Sequence, residues 1–135
     1  MASHLEQLFA GAWVVQCPDL PFEQELPLPA YQAWAQEKKD LGLSKRAVAM
    51  KVDFAWPEAR VALEIQGGTW VQSGHSSGTG ITRDACKSFL AQADGWVLAA
   101  FTDSMLKKQS DIWLPKLEAV IRSRLALNTI KNHAF

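Results

Sequence analysis

"KVDFAWPEARVALEIQGG", residues 51–68, alternates apolar with polar or small side chains on either side of a Pro-containing turn. That period of two, interrupted at "PEAR", predicts a β-hairpin with strands over 47–56 and 61–66. A symmetric connection sets Trp56 opposite Val61, Phe54 opposite Leu63 and Val52 opposite Ile65, which makes one face wholly apolar. On the other face Asp53 falls opposite Glu64 and Lys51 opposite Gln66, with Ala55 opposite Ala62. Opposed residues on antiparallel strands have Cβ atoms about 4.5–5.5 Å apart, where like charges destabilise the pair. Salt bridges to Lys51 or Arg60 on a solvated face would relieve the repulsion, as would a proton on one carboxyl or a cation between the two. A hard divalent cation, Mg²⁺ first and Mn²⁺ second, suits two carboxylates completed by the Ile65 carbonyl and waters. The small side chains of Ala55 and Ala62 leave space beside the acids, and a glycine-rich loop begins straight after Gln66, as at the mouth of a site.

The flanking segments supply helices to cover this hairpin. Ser3 followed by Glu6 is a capping-box pattern that opens a helix over residues 4–15. "CPDLPFEQELPLP" (17–29) has four prolines in thirteen residues, which leaves room for only a short strand near Phe22–Leu26. Residues 30–41 form a second helix that stops at Gly42. "GGTWVQSGHSSGTG" (67–80) reads as a loop, after which Thr82 caps a helix running to Ala93 with Gly95 beyond its end. "WVLAAFT" (96–102) is a buried strand, and Leu114, Leu117, Ile121 and Leu125 recur at helical spacing. The order predicts an α/β fold with a mixed central β-sheet flanked by helices.

At 135 residues with 48% hydrophobic side chains, the chain suits one domain over 1–135. Fourteen basic residues cancel fourteen acidic ones, so no global field marks a polyanionic partner. Residues 104–135 nonetheless carry six basic residues against two acidic ones. Cys17 and Cys86 lack metal-site spacing and suit a reducing compartment. The absence of a signal-peptide pattern or a membrane-length apolar run makes a cytoplasmic location, with no membrane partner, the expectation. The six tryptophans are expected in the core.

Residues 47–103 resemble the PD-(D/E)XK, or restriction-endonuclease-like, nuclease superfamily. "VDFAWPEARVALEIQGG" is similar to its motif of an Asp followed by Glu-x-Lys on the next strand. "GGTWVQSGHSSGTGITRDACKSFLAQADGWVLAAFT" is similar to its very-short-patch-repair-like and phage-encoded branch. The resemblance implies a metal-dependent DNA endonuclease of recombination or repair, in a bacterial or phage-infected cell. Asp53 and Glu64 would be the metal ligands, and Glu6 would touch the metal through water. Gln66 stands where the motif has lysine, so the cation is expected from Lys87 on the following helix, or alternatively from Lys51. His75 is a further candidate catalytic residue, and Trp70, His75, Arg83, Lys107 and Lys108 are candidate DNA contacts. A homodimer would suit cutting of both strands. A catalytically silent DNA- or protein-binding module is the alternative that Gln66 leaves open.

Overall fold

The structure, a computed structural model, describes residues 3–67 and 78–133. The Ser3 hydroxyl accepts from the Glu6 amide and the Glu6 carboxylate accepts from the Ser3 amide at 2.8 Å, a reciprocal cap that starts α1 (His4–Gln16). Leu5, Phe9 and Trp13, spaced by four, form its buried stripe. The proline-rich connector leads to β1 (Glu23–Leu26), and Pro29 occupies the first turn of α2 (Pro29–Asp40), where its missing N–H costs nothing. The hairpin follows as β2 (Val52–Trp56) and β3 (Val61–Gln66), then α3 (Gly78–Ala93), β4 (Val97–Thr102), a short α4 (Asp103–Lys107) and α5 (Ser110–His133). No helix among the described residues is long and apolar enough to cross a membrane.

These described strands make one mixed sheet in the order β1-β2-β3-β4, the first two pairings antiparallel and the last parallel. Phe54 pairs with Leu63, Ala55 with Ala62 and Trp56 with Val61, the register expected from the turn. Strand β2 is shorter than the expected 47–56. The pairs expected beyond Phe54–Leu63, namely Val52–Ile65, Asp53–Glu64 and Lys51–Gln66, are not part of the ladder, and residues 47–51 precede the strand. Parallel β3 and β4 require a crossover, which α3 provides. Gly95 turns the chain out of α3 at φ +80°, a conformation that costs a side-chain-bearing residue about 1 kcal/mol.

Helices cover both faces. On one, α1, α4 and α5 bury Phe9, Trp13, Phe54, Trp56, Leu63, Phe101, Leu117 and Ile121. On the other, α2 and α3 bury Leu28, Tyr31, Ala91 and Trp96 against Val52, Ala55 and Ala62. Val52 therefore sits on the opposite side from the one its alternation with Phe54 predicts. Val52 is still paired with Leu26 of β1, but the β2–β3 ladder ends at Phe54–Leu63, and between the Gln24–Phe54 and Leu26–Val52 pairs Glu25 takes the left-handed conformation at φ +52°, which breaks the regular alternation.

Helix α3 starts four residues before Thr82, so that residue lies inside the helix instead of capping it. Gly78 and Gly80 each oppose helix by roughly 1 kcal/mol, but propagation onto an already formed, packed helix overcomes that local preference. Of the tryptophans, Trp13, Trp56 and Trp96 are buried and Trp34 and Trp113 half-buried, while Trp70 lies outside the described residues.

Phe54 is fully buried, with its ring centroid 4.7 Å from that of Phe9 and 4.9 Å from that of Phe22. Phe54→Ala should lower the unfolding free energy by about 3–5 kcal/mol, read from urea unfolding curves. A loss under about 1 kcal/mol would contradict this packing.

Candidate metal and catalytic site

The end of the hairpin away from its turn gathers the charged groups. Asp53 Oδ2 accepts a hydrogen bond from the Ile65 amide at 2.7 Å, so a side-chain carboxylate takes up a backbone donor just where the strand ladder stops. Ile65, expected to offer its carbonyl to a metal, contributes its amide to this bond. Glu64 lies within hydrogen-bonding reach of Asp53 and forms an ion pair with the Lys87 ammonium, both side chains being largely buried. Lys87 is brought there by α3. Its backbone carbonyl accepts from the hydroxyl of fully buried Tyr31 on α2 at 2.9 Å, which pins the height of α3 over the sheet.

On the α1 side, Asp53 meets two further acids. Glu6, Glu25 and Asp53 each offer a carboxylate oxygen, all within 4.8 Å of one another. The capping box holds one Glu6 oxygen against the Ser3 amide, while the other, Oε1, is buried and lacks a hydrogen-bond partner. Glu25 lies in β1 beside Asp53, between the paired residues Gln24–Phe54 and Leu26–Val52. Its backbone takes the left-handed conformation at φ +52°, unusual for a residue other than glycine.

Burial and like charge shape the proton affinities. Loss of hydration pushes the Glu64 carboxyl up to about 7, against the pull of Lys87 and with added repulsion from Asp53. Burial also raises Asp53, opposed by the Ile65 amide and reinforced by Glu6. Glu25 is raised by loss of hydration and by Asp53 and Glu6, with Lys51 countering. Such a cluster is neutralised either by protons or by a cation. The donors are hard oxygens, one of them buried and unsatisfied, and they fit Mg²⁺ or Mn²⁺.

The remaining sequence candidates fall in several places. Gln66 pairs with Thr102 and lines, with Glu64, Lys87, Asp84 and Ser88, a cleft of about 250 Å³ between the sheet and α3. Lys51 is exposed at the entrance to β2, and Arg83 is exposed on α3. Lys107 and Lys108 are exposed at the end of α4, the former 3.4 Å from Asp103. His75 and Trp70 lie outside the described residues.

Glu25 and Tyr31 were not visible as site residues in the sequence. Pairing the short 22–26 strand antiparallel to β2 would have pointed to Glu25, and no sequence signal singles out Tyr31. A larger cavity of about 720 Å³ lies at the opposite end, by the hairpin turn. Its polar groups are engaged in clamping α5 to that turn, Arg124 to the Ala59 carbonyl and Asn128 to that of Glu58.

Comparison of the chain with protein-family models, with curated proteins and with solved structures finds no match.

Because the Glu64 carboxyl holds its proton to about pH 7 when folded but only to about 4.5 when unfolded, the folded state binds the extra proton between those values. Its contribution to stability is thus largest below pH 4.5 and declines as pH rises to 7. Asp53 and Glu25, raised likewise, add in the same direction. A ¹³C NMR titration of Glu64 in chelator should give a midpoint near 7, and Lys87→Met should move it upward. A downward or absent shift in that variant would show that the ammonium does not act on Glu64.

Proposed function

We propose that the chain is a divalent-metal-dependent deoxyribonuclease with a restriction-endonuclease-like core, as the resemblance of residues 47–103 implies. The observation that carries this reading is the meeting of Asp53, Glu64, Lys87 and Glu6, from four separate elements, at one end of a mixed sheet. A positive side chain beside Glu64 supplies the charge that Gln66, at the motif-lysine position, lacks.

Asp53, Glu6 and Glu25 would hold Mg²⁺ or Mn²⁺, with Glu64 turned toward the same space through Asp53. Bound there, the cation supplies positive charge that lowers the pKa of water and offsets charge developing on the phosphate. The Lys87 ammonium, partly withdrawn from water, stabilises the same developing charge at greater strength than in bulk solvent. A Glu64 carboxyl that titrates near neutrality can accept or return a proton at its oxygens close to physiological pH.

Zero net charge keeps non-specific DNA affinity modest and salt-sensitive. A chain of this size has little apparatus for reading sequence, so cutting at junctions, flaps or mismatches fits it better than restriction-type specificity. A second copy would serve two-strand cutting. Uncharged Gln66 favours one alternative, a silent domain that binds DNA or protein without cutting it.

Wild-type protein should nick branched DNA in Mg²⁺ or Mn²⁺. Asp53→Ala and Glu64→Ala should each reduce the rate by at least about 100-fold with circular dichroism unchanged. Lys87→Ala should fall comparably, whereas Lys51→Ala should retain most activity. Binding without cleavage in either metal would replace the nuclease reading with the silent module. Neither binding nor cleavage would remove both.

A further inference from the structure

We propose that residues 41–51, between α2 and β2, form a phosphate-contacting surface for DNA with unpaired bases, immediately beside the acidic site. The inference rests on the nuclease reading and names the surface that would bring its substrate to the site.

The charge pattern comes first. "LGLSKRAVAMK" carries Lys45, Arg46 and Lys51 and no acid, in a chain whose fourteen basic and fourteen acidic residues cancel overall. All three side chains are exposed. The site itself presents four carboxylates, Glu6, Glu25, Asp53 and Glu64, which repel a polyanion. A basic surface close by offsets that repulsion, and Lys51 is two residues from Asp53 and near enough to Glu25 to oppose its charge. From Arg46 to Asp53 the extended chain reaches at most about 25 Å, a span that covers several successive phosphates.

The segment is also held in place. Gly42, at φ +74°, ends α2 with its amide on the Lys39 carbonyl, and the Leu43 amide reaches the Lys38 carbonyl at 2.8 Å. The Ser44 hydroxyl donates to the Arg46 carbonyl at 2.9 Å, and Ala49 and Met50 pack on the α2/α3 core. A surface anchored at both ends loses less conformational freedom when it binds.

Its apolar content identifies the ligand further. Leu41, Leu43 and Val48 are 62%, 67% and 66% exposed. Leu43 occupies the position after the helix-ending glycine, where an apolar residue ordinarily packs back on its own helix. Exposed aliphatic side chains beside cations match accessible bases, whose flat faces take apolar contact while their phosphates are anionic.

The test is fluorescence anisotropy with a labelled duplex bearing a single-stranded flap, in chelator and over a range of salt. Lys45→Ala/Arg46→Ala should weaken binding by roughly tenfold and reduce the slope of log affinity against log salt by about 2. Lys116→Ala, on α5 beside β4, serves as the control and should change neither by more than one phosphate contact's worth. If wild type binds and the double variant matches it in affinity and salt slope, the inference is overturned while the nuclease reading stands. If wild type neither binds nor, with metal, cuts the probe, the nuclease reading fails and this surface with it.

Discussion

One hydrogen bond organises the charged end of the molecule: the Asp53 carboxylate on the Ile65 amide. In a regular antiparallel ladder that amide would bond to a backbone carbonyl, and the two strands would continue side by side. With a side chain as acceptor, the paired register between β2 and β3 stops at Phe54–Leu63. Val52 turns into the α2/α3 core, Asp53 meets Glu6 and Glu25, and Glu64 meets Lys87. The opening is thus lined from both sides of the sheet, by α1 and β1 on one hand and by α3 on the other.

That arrangement runs against the electrostatic preference of a folded chain. Asp53 stands between half-buried Glu6 and exposed Glu25 on one hand and the Glu64–Lys87 ion pair on the other, and a second cation, Lys51, is exposed nearby. Taking ionised groups out of water is unfavourable unless they are paired, and the upward displacement of Asp53, Glu25 and Glu64 expresses that cost. The aromatic core beneath, in which Phe9 contacts the rings of Trp13, Phe54, Trp56 and Phe101, offsets it. Stability concentrated on one layer permits strain at its edge.

The hairpin was readable in the sequence because period-two alternation and the connection through Pro57–Arg60 constrain register together. The cap of α1 was equally readable, since Ser3 and Glu6 act through local hydrogen bonds. Features that depend on distant partners were not. Glu25 belongs to a four-residue strand between prolines, too short to show periodicity, and its nearness to Asp53 is set by the β1–β2 pairing. The start of α3 at Gly78 defies local propensity, and the five-residue α4 carries no helical repeat of its own. Val52 shows the limit of alternation as a guide: it fails where the ladder ends, and there the acids gather.

Two indoles, Trp13 on α1 and Trp56 on β2, donate to a single acceptor, the Leu20 carbonyl, at 2.8 and 3.1 Å. Leu20 belongs to neither helix nor strand, and both lone pairs of its oxygen moor the connector at a fixed height, together with the Leu20 amide on the Cys17 carbonyl and the Asp19–Arg122 ion pair. Five residues on, that connector delivers Glu25 to the acidic cluster. The position of the third acid is therefore surveyed from a benchmark in the aromatic core. A change at either indole would be felt at the far end of the sheet as a shift in where the chain makes landfall.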